Sequence, residues 1–309
     1  MRFNPRAKID QSQTEHRAGG GGGLGGGLGG GLGGRGGGKL TVGGILIVGV
    51  IFLINQFTGV DLGAVIPNGS GDGSGQTEES TCRTGEDASA SDQCAIDLIT
   101  VSVQDYWKDA FPAQVKGAPA YQPIKTVTFS GSTASGCGTA QSAMGPFYCP
   151  NDKRVYLDVN FLKDMLEGDL GAKGGTFALA YVIGHEYGHY IEDQLGILGQ
   201  MRTQQGPRSD SVKAELMADC LGGMWAREAS NTEDADGNKI IEELTQDDIA
   251  RAIDAAQAVG DDRIQQAGGG GVNEEAWTHG SAAQRKHWFT IGMEQGSLRA
   301  CNTFADGAL

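Results

Sequence analysis

Residues 176–195 constrain the fold of this chain more than any other stretch. The segment contains no proline, and its apolar residues recur at helical spacing: Ala178, Leu179, Val182 and Ile183. It also carries His185, Glu186 and His189 in the order His-Glu-Tyr-Gly-His. Because residues four apart lie on the same face of a helix, His185 and His189 can offer two imidazoles to one metal ion.

Glu186 lies about 100° around this helix from His185, near the expected metal position but not in a ligand position. Zinc lowers the pKa of its water, and a carboxylate at this place can take the proton. His-Glu-x-x-His is the pattern of zinc peptidases. The alternative is that both histidines are ordinary core or surface residues of an amphipathic helix. The strongly helical, apolar context favours the metal site.

A zinc site needs a third protein ligand. The extended motif with a third histidine fails, because Glu192 and Leu195 occupy its glycine and histidine positions. A second helix, around residues 211–220, instead supplies Glu215 and Asp219, which are four apart. We predict that Glu215 is the third ligand and that Asp219 accepts the outward N–H of a ligand histidine. A solvated acidic face is the alternative, which the largely apolar neighbours disfavour.

From residue 137 to residue 304 the chain resembles the neutral zinc metallopeptidase family of bacterial envelope proteins, which is related to thermolysin-like peptidases. The resemblance implies an α+β, mostly helical zincin-like domain with a small sheet, one Zn²⁺ ion and a peptide or protein substrate. Tyr190 stands where relatives often carry a further histidine. The motifs that carry the resemblance are Cys137-Gly-Thr-Ala, Gly145-Pro-Phe-Tyr-Cys-Pro150, Val155-Tyr-Leu-Asp158, His185-Glu-Tyr-Gly-His189, Glu215-Leu-Met-Ala-Asp-Cys220 and Thr278-His-Gly-Ser-Ala-Ala-Gln-Arg285.

The resemblance also implies roles for His279 and Arg285. His279 would donate a hydrogen bond to the developing oxyanion, and Arg285 would do the same or orient Glu215. A structural or exposed histidine is the alternative for His279, and His16 and His287 are predicted to be non-functional. Resemblance further suggests that residues 155–158 form an edge strand that pairs with extended substrate, although a plain structural strand is an equal alternative.

The N-terminal third is organised differently. Residues 1–39 are basic and glycine-rich, and we predict that they form a cytoplasmic tail. The glycines do not indicate a nucleotide-binding loop, because no strand precedes them. Residues 40–60 contain no charge and are long enough for one transmembrane helix. The positive-inside rule then predicts a single-pass membrane protein, with its N-terminus cytoplasmic and its catalytic domain extracytoplasmic. A cleaved signal peptide is disfavoured by the late start of the apolar run. We expect a flexible linker at residues 61–90.

Residues 91–309 are predicted to form the zinc metallopeptidase domain. All six cysteines follow the apolar segment, and an even number there favours disulfides over metal ligation, since no C-x-x-C pair exists. The sequence does not fix the pairing. The pairs that we favour are Cys82–Cys94, Cys137–Cys149 and Cys220–Cys301.

Two other classes of site are disfavoured. Residues 232–243 resemble a calcium loop, but Thr232 occupies the first ligand position, so an acidic connecting loop is the better interpretation. The net charge of −14 argues against a nucleic-acid partner.

The predicted function is therefore a membrane-anchored zinc endopeptidase that acts outside the cytoplasm. Zinc would be held by His185, His189 and Glu215, with Glu186 as the general base on the zinc-bound water. The alternative is a non-catalytic, zinc-stabilised module that recruits envelope proteins.

Overall fold

The computed structural model describes residues 1–18, 77–117 and 119–309. Its α-helices are α1 (Gly85–Ala90), α2 (Asp92–Gln114), α3 (Thr176–Gln194), α4 (Asp210–Glu228), α5 (Gln246–Ala258), α6 (Asp261–Ala267) and α7 (Ala282–Gln295). A π-helix, Leu162–Asp169, precedes α3. The strands are β1 (Arg2–Phe3), β2 (Thr14–Arg17), β3 (Thr77–Glu78), β4 (Lys125–Phe129), β5 (Ser132–Ser135), β6 (Gly138–Gln141), β7 (Phe147–Cys149), β8 (Arg154–Asp158) and β9 (Ile241–Glu243). The predicted α+β class, with a small sheet, is what these elements form.

The main sheet has the strand order β3-β2-β4-β8-β7. Strands β2, β4 and β8 run parallel, and β3 and β7 pair antiparallel at the two edges. Strands β5 and β6 form a separate hairpin, and β1 pairs with β9. The interior strand β4 is buried along all but its first residue. The edge strand β7 contacts α3, so one open edge of the sheet lies next to the helix that carries the metal motif.

Close packing of α4 against its two neighbours fixes the positions of the helices. A Cβ built on Gly188 of α3 would lie 2.9 Å from the Cα of Ala218 of α4, so only glycine permits this approach. On the other side of α4, a Cβ on Gly292 of α7 would overlap the carbonyl of Cys220. These contacts place the face of α3 that carries the histidines directly against the acidic face of α4.

The cysteines pair as predicted, in the disulfides Cys82–Cys94, Cys137–Cys149 and Cys220–Cys301. Helices α5 and α6 are separate, because the chain turns at Gly260. A Cβ on Gly260 would lie 2.4 Å from the backbone N of Ala282, so the turn packs tightly against the start of α7. The turn also frees Asp261 to bind the backbone of residues 278–280.

The predicted single-pass arrangement is wrong. Strand β2 comes before the apolar segment and β4 comes after it, yet they pair in one sheet, so they cannot lie on opposite sides of a membrane. The transmembrane helix predicted at 40–60, with the membrane partnership drawn from it, lies outside the described residues. Among the described helices, none is both long and apolar enough to cross a membrane. Residues 1–17 and 77–90, predicted as tail and linker, contribute β1, β2, β3 and α1 to the domain.

Two further segments have defined places in the fold. Residues 155–158 lie in β8, between β4 and β7, so they are not an edge strand. In the loop at 232–243, the carboxylate of Asp234 accepts hydrogen bonds from the backbone N–H groups of Lys8, Asp236 and Asn238. The ammonium group of Lys8 pairs with Asp236. This loop is an acidic connection that docks the N-terminal segment.

Candidate metal centre

Two helices bring three potential metal ligands together. His185 and His189 project from α3, and Glu215 projects from α4. Their ligand atoms all lie within 4.8 Å of one another, and all three residues are buried. The Nε2 atoms of the two histidines lie 3.3 Å and 3.5 Å from the two carboxylate oxygens of Glu215. Within the described residues, this is the one group of three such side chains that could hold an ion.

These distances suit a tetrahedral metal ion. Ligands about 2.1 Å from a tetrahedral zinc ion are about 3.4 Å from one another. The separations of 3.3 Å and 3.5 Å between histidine and glutamate atoms match that spacing. Three protein ligands also leave the fourth position of a tetrahedron for water or substrate, as in catalytic rather than structural zinc sites.

Asp219 supports His185 from the far side of the ring. Its Oδ1 lies 2.9 Å from His185 Nδ1 and also accepts the hydroxyl of Tyr181. Arg285 donates to both oxygens of Asp219, at 2.7 Å and 2.9 Å. Burial alone would raise the pKa of Asp219, but Arg285 and His185 outweigh it and lower the pKa. Arg285 Nη2 lies 3.6 Å from Glu215, so the guanidinium borders both carboxylates.

Glu192 supports His189 in the same way, and the sequence analysis did not identify it. Its Oε2 lies 2.9 Å from His189 Nδ1, and the side chain is fully buried. Burial raises the pKa of Glu192 to about 7, although His189 opposes the shift. Glu192 follows His189 by three residues on the same helix, and residues at this spacing are neighbours on the helix surface. This spacing is the signal in the sequence that indicates the pair.

Glu186 lies at the wall of the same site, within α3. Burial raises its pKa, although the imidazoles of His185 and His189 oppose the shift. A hydrogen bond from the backbone of Tyr148, in β7, also stabilises the charged form. Among the described residues, its Oε2 has no hydrogen-bond partner. A buried carboxylate oxygen without a partner is costly, and it suits a group that meets water or substrate.

A cleft opens over these residues. The metal-ligand group and Glu186 form its polar end. Apolar side chains form much of the remaining wall: Met144, Pro146, Phe147, Phe161, Val182 and Val259. The segment that leads into β7 therefore borders both the cleft and the free edge of the sheet.

His279 also lines this cleft. Its Nδ1 lies 3.2 Å from Asp261 Oδ1 and 2.9 Å from the hydroxyl of Thr278. The backbone N–H groups of Thr278, His279 and Gly280 all donate to the other oxygen of Asp261, at 2.7–2.9 Å. The ring is thus held through Nδ1, and neither of these contacts uses Nε2.

The buried charges of the site favour a cation. Arg285 pairs with two of the buried carboxylates of the site, Glu215 and Asp219. Four acidic side chains there are at least nine-tenths buried: Glu186, Glu192, Glu215 and Asp219. Buried carboxylates need paired charge or hydrogen bonds. The carboxylates of Asp219 and Glu215 raise the pKa of His185 although burial alone would lower it. Protons on the histidines, or a divalent metal ion, supply the missing positive charge.

Comparison with known proteins identifies the family. A family model described as "Putative neutral zinc metallopeptidase" matches residues 1–304. The chain is 35% identical to the Uncharacterized protein YpfJ of Escherichia coli (strain K12) over 314 residues, covering 98% of this chain and 99% of the relative. It is 44% identical over 228 residues to the Uncharacterized protein Rv2575 of Mycobacterium tuberculosis (strain ATCC 25618 / H37Rv), covering 73% and 75% of the two chains. No solved structure matches it. The chain belongs to this zinc metallopeptidase family.

Proposed function

We propose that this protein is a zinc-dependent endopeptidase whose single metal ion is held by His185, His189 and Glu215. The observation that carries the proposal is their buried convergence beside Glu186, at the end of an open cleft. A zinc ion at this place supplies a water of lowered pKa and polarises a peptide carbonyl. Membership of a zinc metallopeptidase family supports the same activity.

Glu186 is the proposed general base. Its carboxylate takes the proton of the attacking water and passes it to the leaving amine. The raised pKa of Glu186 suits both steps, because a carboxyl that titrates closer to neutral pH can accept and release a proton during one turnover.

The remaining polar residues position the reacting groups. Nε2 of His279 donates to the developing oxyanion of the substrate, while Asp261 holds the ring. Arg285 donates hydrogen bonds to both carboxylate oxygens of Asp219 and lies close to Glu215. Its proposed role is therefore to hold these two carboxylates in place, and it does not contact the substrate. An extended peptide pairs with the free edge of β7, which borders the cleft.

The test compares the full-length protein with its Glu186→Gln variant on a generic unfolded protein substrate. Glutamine keeps the volume of Glu186 but cannot act as a base, so cleavage should fall by roughly 10²–10⁴-fold while zinc content stays at one ion per chain. Glu243→Gln, at an exposed carboxylate on β9, is the matched control and should cleave normally. Mass spectrometry of the fragments should show internal cuts that only the wild type and the control produce.

Two results would contradict the proposal. A Glu186→Gln variant that cleaves normally removes Glu186 from the chemistry. A wild type that binds zinc stoichiometrically yet cleaves nothing, with or without chelator, leaves the non-catalytic zinc-stabilised module as the better function.

A further inference from the structure

The two histidines of the cluster are supported by carboxylates in unequal ways. Asp219, behind His185, accepts the hydroxyl of Tyr181 and two guanidinium N–H groups of Arg285. Its negative charge is therefore matched by a neighbouring cation, and both of its oxygens are occupied. Together, the carboxylate of Asp219 and the guanidinium of Arg285 carry no net charge.

Among the residues that the structure describes, Glu192, behind His189, has no such cation. Within the described residues, its ion-pair partner is His189, through Oε2 at 2.9 Å. The other oxygen, Oε1, is buried and has no hydrogen-bond partner among those residues. A fully buried carboxylate that keeps half of its acceptors unused is costly to the fold, unless a positive charge lies close by.

We propose that Glu192 is a positioning residue that sets the affinity of the metal site, through its charge as well as its hydrogen bond. By accepting the Nδ1 proton of His189, it places the ring's lone pair on Nε2, which lies 3.5 Å from Glu215. A dication bound at Nε2 would be separated from the carboxylate of Glu192 only by the imidazole ring of His189. Such carboxylate–histidine pairs raise the basicity of the ligand nitrogen. The inference rests on the metal site of the proposed function, but not on cleavage.

The charge and the hydrogen bond can be separated by substitution. Glu192→Gln keeps the volume of the side chain and an oxygen that accepts from His189, but it removes the charge. Glu192→Met keeps only the approximate shape. Glu243→Gln, which removes one exposed carboxylate far from the cleft, controls for the change in net charge.

The measurements are zinc dissociation constants, from competition of the full-length apo protein with a chromophoric chelator, and the absorption spectrum of the Co²⁺-substituted protein. We expect Glu192→Gln to weaken zinc binding about 10–100-fold and Glu192→Met to weaken it at least as much. Both should shift the cobalt bands, because the ligand field of His189 changes. Glu243→Gln should match the wild type in both measurements.

The proposal is overturned if Glu192→Gln binds zinc within twofold of Glu243→Gln and gives an unchanged cobalt spectrum. If Glu192→Met does not fold, the isosteric Gln variant decides alone. A wild type that binds no zinc overturns the metal site and this inference together. Normal zinc binding by every variant overturns the role of Glu192 and leaves the proposed peptidase intact.

Discussion

Two buried histidine clusters of this domain differ in where their ring nitrogens point. In the first, His16 of β2 has Nδ1 2.6 Å from Thr128 Oγ1 and Nε2 3.1 Å from Asp97 Oδ2. In the second, His185 and His189 each pair Nδ1 with a carboxylate, and their Nε2 atoms converge on one further carboxylate. All three rings are similarly buried, at 3%, 7% and 4% exposure. Burial and an acidic partner therefore do not separate a structural histidine from a metal ligand.

What separates the clusters is the second nitrogen. Both nitrogens of His16 are held by side chains of the core, so the ring joins β2 to β4 and α2 and has nothing left for a ligand. His279 is intermediate, because Asp261 and Thr278 hold one nitrogen and the residue lines the cleft. We therefore predict three phenotypes. Substitutions at the metal cluster should abolish zinc binding, substitution of His279 should reduce cleavage but leave zinc binding unchanged, and substitution of His16 should reduce stability alone.

The largest effect should follow from Glu215→Ala, which removes the carboxylate on which both Nε2 atoms converge. Loss of a group that only supports a ligand costs about 10–100-fold in metal affinity, and loss of a ligand should cost more. We expect zinc content close to zero after dialysis and cleavage at background. Asp97→Asn, the counterpart in the His16 cluster, should keep one zinc ion per chain. Equal zinc content in the two variants would abolish the distinction between the clusters.

His279→Gln tests the intermediate case. If Nε2 stabilises the oxyanion, cleavage should fall by about 10²–10³-fold while zinc binding is unchanged. Steady-state kinetics at saturating zinc, together with metal analysis of the same sample, separates the two effects. Normal cleavage by this variant would move His279 into the structural class.

His16→Ala should affect stability alone. The substitution leaves the hydroxyl of Thr128 and the carboxylate of Asp97 buried without their partner. Each such group costs about 1–3 kcal/mol, so the free energy of unfolding should fall by about 2–6 kcal/mol. Urea denaturation measures this loss, and the folded fraction should still bind one zinc ion. A selective loss of zinc would show that the His16 cluster communicates with the metal site.

The sequence predicts the three side chains that converge and one of their supports, Asp219, but it does not predict Glu192 or Asp261. His185, His189 and Glu215 follow from a period of four on two apolar helices, which is a local property of the chain. Glu192 also obeys a local rule, but it was considered only as a failed position of a longer zinc motif. Asp261 requires the break at Gly260, and its contact with His279 joins residues 18 apart.

Long-range strand pairing explains why the predicted single-pass membrane arrangement is wrong. Residues 14–17 and 125–129 form neighbouring parallel strands across more than a hundred residues. A four-residue strand with mixed polar side chains has little periodicity of its own, so its place in a sheet depends on tertiary contacts. The sequence therefore indicates the role of the N-terminal segment only through its positive charge and the apolar stretch that follows, and both of these favour a cytoplasmic tail. The favoured cysteine pairs are confirmed, and one of them, Cys220–Cys301, joins segments 81 residues apart.

The smallest effect concerns the support of His279, and its size depends on pH. Asp261 accepts three backbone N–H groups and approaches His279 Nδ1. Burial alone would raise the pKa of Asp261, but the hydrogen bond and charge of His279 and the backbone N–H groups outweigh it. The pKa therefore lies below its usual value of 3.8. The charged form is thus stabilised by folding, and this stability is present above pH 3.8 and lost as the pH falls through the folded pKa.

Asp261→Asn should therefore destabilise the protein by about 2 kcal/mol near pH 6, since hydrogen bonds to a charged group contribute about 1.5–3 kcal/mol. Below pH 3.8 the wild type begins to lose the same contribution, so the difference between the two proteins should narrow. Urea denaturation of both at pH 6 and pH 3, with chelator present so that metal binding does not contribute, measures the change. The titrations of Asp219 and the other carboxylates occur in both proteins and cancel in the difference. A difference that stays constant between the two pH values would mean that Asp261 acts through shape rather than charge, and that His279 is held without an ionic partner.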